Sequence, residues 1–396
     1  MDLMDLRIKI SFSMSKDKSP LGNIEDRLIR IPKALRERLD LRIGLFLRLK
    51  SKTGSVIPLQ VTHAYKNDTD VDVNSAYVSD STYEEISFET IHTIDPAEDI
   101  LIGCDPEFFI VDGMSGHNLS ASHFFSRYGE IGSDLGLAEL RPRPSMDVGE
   151  LTKSMEVLMF QAYKHLSGRT LYRQRPIRMV AASMHDNSSA GFHVHFGLPD
   201  FLLDGSPAAY NILVKMVYIL DYYVGIPSVL PEGEEDYWRR SQRYSQYGKP
   251  GDFRSDDRIT LEYRVPGGHL LRHPTLTVGL LALSATVMKD MLSRLKRYSD
   301  NFRNIDILKS YGELRDLYPN LPDRSVVYNT VTNERIGEAL SYSDKILTDL
   351  QKMIGYSIHK QYILDYFNYV VNYFGRGQKY TESIEHNWRL SHYEGQ

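Results

Sequence analysis

The sequence predicts an α+β fold, a sheet covered by helices on one side and preceded by a small β-rich segment. Three observations predict it. Strand-like stretches recur at residues 100–111, 131–143, 177–183, 191–198 and 258–266, with longer helical patterns between them. Four of these strands alternate ionisable and apolar residues, so one face of the sheet is charged and the other is hydrocarbon. Residues 1–98 have another texture, with short alternating strands and abrupt changes of charge. The 396 residues divide on this reading into a small β-rich N-terminal domain (1–98), a core (99–300) and a helical C-terminal part (301–396) packed on that core.

Composition narrows the function classes. Hydrophobic residues make up 42% of the chain, enough for a sizeable core. A net charge of −5 is too mild and of the wrong sign for a chain built throughout to bind nucleic acid. The opening "MDLMDLRIKISF" lacks the charged and then apolar regions of a signal peptide. No uninterrupted apolar stretch reaches membrane-spanning length; the best, near 274–288, contains Pro274, Gly279 and Ser284. Cys104 is the only cysteine, so no internal disulfide forms, and a cytoplasmic setting is expected.

Along the chain, "DRLIRIPKALRERLDLRIGLFLRLKSKTG" predicts a short strand, a Pro-led helical turn, a turn at Gly44 and an alternating strand. Arg27 to Lys52 carries nine basic residues against Glu37 and Asp40, and the balance reverses to acid from Asp68 to Asp99. The stretch resembles the strand–"IPK"–helix–Gly–strand pattern of AbrB-like swapped-hairpin transcription factors. DNA binding would require its basic residues on one surface. A small β domain with a solvated basic face is the favoured alternative.

In the core, "SMDVGELTKSMEVLMFQAYKHLSG" places Leu151, Met155, Leu158, Met159 and Ala162 at helical spacing, with Ser145 as N-cap and Gly168 as stop. "SPAAYNILVKMVYILDYYVG" opens on a Ser206 cap and Pro207 in the first turn. "HPTLTVGLLALSATVMKDMLSRLKRY" is a third helix. Residues 301–396 read mainly as helices, with loops around Pro319, Pro322 and Gly375.

The chemistry lies in four polar pairs, each spaced i, i+2: Asp105 and Glu107 in "GCDPEFF", Glu139 and Arg141 in "LAELRPRP", His193 and His195 in "GFHVHFG", and Glu262 and Arg264 in "TLEYRVP". In a strand such pairs share a face about 7 Å apart. Their neighbours Phe108, Ile110, Leu140, Val194, Phe196, Tyr263 and Val265 face the other way. The histidine pair alone reads as two core histidines; three companion pairs change that reading. If the pairs converge, four carboxylates meet and cannot all ionise without compensation. Two or three Mg²⁺ ions, or Mn²⁺, would supply it, with Arg141 and Arg264 as a partial alternative. No HExxH or CxxC argues for zinc.

A fifth segment, "WRRSQRYSQYGKPGDFR", packs Arg239, Arg240, Arg243, Lys249 and Arg254 among Tyr244, Tyr247, Gly248 and Gly251. Arginines bind phosphate in bidentate fashion and glycines permit close backbone approach, so the segment suits a polyphosphate. A solvated basic loop is the plain alternative. No GxxxxGK[ST] phosphate loop is present.

The order "GCDPEFF … IGSDLGLAELRP … GFHVHFG … RRSQRYSQYGKPGDFR … LEYRVPG" resembles the phage-type COOH–NH2 ligases, a branch of the amidoligases within the glutamine synthetase and glutamate–cysteine ligase superfamily. The resemblance spans roughly residues 100–290. It implies a curved antiparallel sheet forming a glutamine synthetase-like funnel, with ATP and two or three Mg²⁺ at its polar face. It implies Asp105, Glu107, Glu139, His193 and Glu262 as metal ligands, and His195 near the nucleotide phosphates. Arg264, with Arg254 and Glu139, would serve the reacting groups. Arg141, Arg239, Arg240, Arg243, Arg254 and Tyr247 would bind nucleotide, and Asp134 would line the site. The loop that holds ammonium in glutamine synthetases has no counterpart, so the expected amine is an amino acid, peptide or protein. The setting would be a bacterium or phage-infected host, and a homo-oligomer is compatible with the superfamily.

The expected activity is therefore ATP- and Mg²⁺-dependent formation of an amide bond, peptide or isopeptide, through an acyl phosphate. Two other readings stay open. One is a metal-dependent hydrolase or nuclease using the same cluster. The other is a DNA-binding protein acting through the N-terminal segment.

Overall fold

The structure, a computed structural model, describes residues 9–12, 28–38, 41, 43, 46–52, 56–63, 75–79, 82–83, 86–93, 100–171, 175–199, 202–233, 235–241, 245–255, 260–298, 318–333, 336–375 and 383–392. Its first strands are β1 (Lys9–Phe12), β2 (Leu28–Ile31), β3 (Phe46–Ser51), β4 (Val56–His63), β5 (Ser75–Val78) and β6 (Ile86–Thr93). They form one sheet in the order β1-β5-β2-β4-β3-β6, with β1–β5 and β2–β4 parallel. Helix α1 (Lys33–Arg38) follows β2, and its Leu35 joins Ile29, Ile31, Leu47, Leu49 and Val61 in a small apolar cluster of their own. Two of the basic residues here serve this segment's own backbone. Arg30 Nη1 donates to the His63 carbonyl at 3.0 Å and Arg36 Nε to that of Ile31 at 3.1 Å.

The second sheet has nine strands, and every pairing in it is antiparallel. They are β7 (Ile102–Asp112), β8 (Asn118–Leu119), β9 (Ile131–Asp134), β10 (Leu137–Leu140), β11 (Thr170–Leu171), β12 (Arg175–Val180), β15 (Phe192–Gly197), β16 (Phe253–Arg254) and β17 (Thr260–Tyr263), while β13 (Met184–His185) and β14 (Ser188–Ser189) make a separate hairpin. The long strand β7 is the hub, pairing with β8, β10, β12 and β15. The expected single strand at 131–143 is instead the β9–β10 hairpin. Leu135 and Gly136 both take positive φ there (43° and 98°), a conformation glycine adopts without steric cost.

Helices cover one face of this sheet. In α2 (Val148–Ser167), Leu151, Met155, Leu158, Met159 and Ala162 are all buried, as their spacing requires. Its N-cap is Asp147 rather than Ser145. The Asp147 carboxylate stands directly before the first turn and accepts from the Gly149 and Glu150 amides at 2.7 and 3.1 Å, whereas Ser145 Oγ accepts from Asp147 N. In α3 (Pro207–Leu220), Ser206 caps through the Ala209 amide as expected. The helix then passes through a π-helical turn (Asp221–Gly225) into α4 (Ile226–Val229). After α5 (Trp238–Ser241) comes α6 (Pro274–Tyr298). Cys104, Phe108, Leu140, Val194, Phe196, Leu261 and Tyr263 from the sheet join these helices in one large apolar cluster.

Two helical stretches, Pro207–Val229 and Pro274–Leu295, are long and apolar enough to cross a membrane, which corrects the sequence reading; both have their most apolar window 83% buried inside the protein. Pro274 begins its helix instead of breaking it, because the first turn needs no proline N–H. Gly279 allows α9 (Tyr356–Gly375) to lie directly on α6: a Cβ there would meet Tyr366 Cβ at 2.5 Å. Gly279→Ala is accordingly expected to cost about 1–3 kcal/mol of overpacking, read as a lowered midpoint of denaturant unfolding.

The remaining helices are α7 (Arg324–Thr332), α8 (Ile336–Leu350) and α10 (Ile384–Asn387). Pro319 and Pro322 lie outside helices, while Gly375 is the last residue of α9 rather than a loop centre. Trp388 Nε1 donates to the Leu271 carbonyl at 2.8 Å, and Glu385 accepts from the Met179 amide at 3.0 Å. These bonds seat the C-terminal segment on the sheet and the loop before α6.

Candidate active site

Strand register assembles the site. On the face of the sheet opposite the apolar cluster, Glu139 of β10 stands opposite Glu107 of β7. His193 of β15 stands opposite Asp105 of β7, and His195 stands opposite Glu262 of β17. Arg254 of β16 completes the row opposite Glu262. Asp105, Glu107, Glu139, Arg141, His193, Tyr247, Arg254, Glu262 and Arg264 all line one cavity of about 1040 Å³.

Asp105 is the centre of the cluster. His193 Nδ1 lies 3.2 Å from its Oδ1 and His195 Nε2 lies 3.2 Å from its Oδ2. His193 Nδ1 is also 3.5 Å from Glu262 Oε1. Glu262 in turn meets Arg264 Nε at 3.1 Å and Arg254 Nη1 at 4.0 Å. Glu139 pairs with Arg141. Burial pushes the Asp105 pKa up, but the charges of His195 and His193 outweigh it and hold the carboxyl well below the usual carboxylate range. Glu139 goes the other way: burial, reinforced by the Asp105 charge, pushes it up to about 8 against the pull of Arg141. The cluster thus stabilises one ionised carboxylate at the expense of its neighbour.

A divalent cation fits this donor set. One ligand atom each from Asp105, His195 and Glu262 lie within 4.8 Å of one another. Asp105 Oδ1 is buried and accepts no hydrogen bond. A buried carboxylate oxygen without a proton to accept is costly, and a cation removes that cost. Oxygen donors with one or two imidazoles suit Mg²⁺ or Mn²⁺.

The structure revises several sequence-based roles. Both histidines touch Asp105, and of the two His193 lines the cavity. Arg239 is buried; its Nη1 and Nη2 donate to the carbonyls of Val265 and Arg264, each at 2.8 Å, and its guanidinium lies over Tyr247. Arg240 is buried in a bidentate pair with Glu232, and its Nε donates to the Val331 carbonyl at 2.7 Å. Neither reaches the cavity as a phosphate-binding group, because packing commits both guanidiniums to interior acceptors. Arg141 does line the cavity, but besides Glu139 its Nη1 serves the carbonyls of Arg127 and Gly129 at 2.8 and 3.1 Å. Arg254 and Arg264 remain the cavity's arginines on the Glu262 side. Arg243 lies outside the described residues. Asp134 lines the cavity and is exposed.

Sequence reasoning also missed part of the wall. Arg127, Glu130 and Ser133 enter from the segment between β8 and β10, and Asn187, Ser188 and Ser189 from the β13–β14 hairpin. The "HDNSS" stretch carries a turn signal, and Asp186 and Asn187 do take positive φ. Arg127 and Glu130 carry no periodicity that could have marked them. Asp252 was also passed over. It accepts from the Gly248 amide at 2.7 Å and lies 3.6 Å from Arg264 Nη1, which braces the loop under Tyr247.

The family described as phage phiEco32-like COOH.NH2 ligase-type 2 matches this chain over residues 102–390. No curated protein matches it significantly. Among solved structures, it is similar to the crystal structure of a bifunctional glutathione synthetase from Pasteurella multocida, at 14% identity and a TM-score of 0.31. That alignment covers 68% of this chain and 52% of the other, so this chain spans about half the length of that protein. At so low a TM-score the likeness carries no argument.

Proposed function

The chain belongs to the phage phiEco32-like COOH.NH2 ligase-type 2 family, a family of carboxylate–amine ligases, and from that premise we propose that it forms an amide bond, peptide or isopeptide, at the expense of ATP. The observation that carries the proposal is the gathering of Asp105, Glu107, Glu139, Glu262, His193, Arg254 and Arg264 on one cavity, with His195 in contact with Asp105. In this reading the charged face of the nine-stranded sheet is a glutamine synthetase-like funnel. The chain divides in this reading into an N-terminal domain (1–98), the ligase core (99–300) and a helical C-terminal part (301–396), and its setting is the cytoplasm of a bacterium or phage-infected host.

The chemistry has two steps. A substrate carboxylate oxygen attacks the γ-phosphorus of ATP, and ADP leaves. An amine nitrogen then attacks the acyl carbon, inorganic phosphate leaves and the nitrogen loses a proton. Bound Mg²⁺ or Mn²⁺ would offset the phosphate charge. Asp105, His193, His195 and Glu262 would hold a cation, and Glu107 and Glu139 border further positions. Arg264 and Arg254 would steady the phosphoryl group in transfer, since positioning and electrostatics dominate such steps. The paired Arg264–Glu262 and Arg264–Asp252 contacts aim that guanidinium before substrate arrives.

The test is an ADP- and phosphate-release assay with ATP, Mg²⁺ and mixed amino acids or peptides. Turnover is expected to require a carboxylate and an amine together. Turnover of phosphodiesters without ATP would sink the proposal in favour of a hydrolase.

A further inference from the structure

We propose that Tyr247 is a positioning residue that fixes which nitrogen of His193 carries the proton, and so aims His193 Nδ1 at a cation held by Asp105 and Glu262. The inference rests on the cation-dependent reading of the site and adds to it a role for a residue expected only to contact nucleotide.

Glu107 Oε2 accepts from the Gly191 amide at 2.6 Å and from the Tyr247 hydroxyl at 3.0 Å. That second bond uses the one proton a tyrosine hydroxyl has. Toward His193 Nε2, 3.1 Å away, the Tyr247 oxygen is therefore left as an acceptor. A proton must sit on Nε2 to complete that bond. Where a cation takes the place of a proton on Nδ1, that nitrogen offers a lone pair, directed between Asp105 Oδ1 at 3.2 Å and Glu262 Oε1 at 3.5 Å. A lone pair facing two carboxylate oxygens, one of them without a hydrogen bond, is an arrangement completed by a cation. Histidines that bind metals commonly donate their other N–H to an oxygen in this way.

The surroundings hold Tyr247 to this task. The guanidiniums of Arg239 and Arg264 both pack over its ring, at 4.2 and 4.9 Å from the centroid. At Gly191 a Cβ would meet His193 Nε2 at 2.4 Å and the Tyr247 hydroxyl at 2.5 Å, so the absence of a side chain there makes room for the bond. Gly248, with φ 74°, turns the chain immediately after Tyr247, where a Cβ would run into Arg239.

The test uses Mn²⁺ alone as probe, with free Mn²⁺ counted by electron paramagnetic resonance in full-length wild type and Tyr247→Phe. Phenylalanine keeps the ring against the two arginines and removes only the hydroxyl. Mn²⁺ affinity is expected to fall by about 10–100-fold. Ring ¹⁵N shifts of His193 in the Mg²⁺-loaded wild type are expected to show Nε2 protonated and Nδ1 not. Wild-type binding with a Tyr247→Phe affinity within about twofold overturns this proposal while leaving the cation reading intact. A Mg²⁺-loaded wild type with the proton on His193 Nδ1 overturns it without any variant. Wild-type protein that binds no Mn²⁺ overturns the cation reading, and this proposal with it.

Discussion

Replacing Glu262 with Gln is expected to lower carboxylate-dependent ATP turnover by about 10²–10³-fold or more, while the protein stays folded. The magnitude is what one preorganised electrostatic group commonly contributes to a transition state. Glu262 belongs to the compact Asp105–His195–Glu262 group and also contacts His193, Arg264 and Arg254. Glutamine keeps the shape, removes the charge and turns one oxygen into an N–H donor aimed at cationic neighbours. The fold should survive, because residue 262 faces the cavity while its neighbours Leu261 and Tyr263 face the core. ADP release and Mn²⁺ binding, measured on the same preparation, check both halves of the expectation. Near-normal turnover would remove Glu262 from the proposed cation group.

The largest effect on stability is expected from Arg240→Met, at about 3–5 kcal/mol, with most of it recovered in Glu232→Leu/Arg240→Met. Arg240 and Glu232 are both buried and form a bidentate pair. Burial pushes the Glu232 pKa up and Arg240 pulls it back down, so removing Arg240 leaves that carboxyl to be buried alone. The Arg240 Nε bond to the Val331 carbonyl is lost as well. Leucine in place of Glu232 removes the orphaned acid, and a well-packed apolar pair is often as stable as a buried ion pair. Denaturant unfolding of the two variants measures the difference. ATP affinity in the double variant should match wild type, since Arg240 is structural; a marked loss would return it to the phosphate-binding group.

Much of the site was legible before the structure. An i, i+2 pair on a strand shares a face whatever the strand packs against, so the four pairs marked four strands with one charged side, although Arg141 and Arg264 stand one residue beyond the ends of β10 and β17. Their convergence followed from antiparallel pairing around β7, which sets Glu139 against Glu107 and His193 against Asp105. The arginine-rich segment was less legible. It read as a polyphosphate-binding or solvated basic loop, yet it contributes an edge strand, two buried struts in Arg239 and Arg240, and the hydroxyl of Tyr247. The cap was placed two residues early, at Ser145 instead of Asp147, because neighbouring polar side chains compete for the same backbone amides, and the turn at Leu135–Gly136 was missed within what read as one strand.

Strand and helix identity, the charged and apolar faces and the chemical type of the cluster were determined by the sequence itself. They depend on side-chain period and on neighbours within a few residues. Tertiary structure alone decided which charges are free to act. A guanidinium is committed by whichever acceptor packing brings to it: for Arg240 that includes the Val331 carbonyl, and for Arg239 those of Arg264 and Val265. The same holds for the orientation of His193, whose partners come from β7, β17 and the Tyr247 loop. Hydrogen-bond direction between groups far apart in the chain is a property of the fold, and no local pattern encodes it.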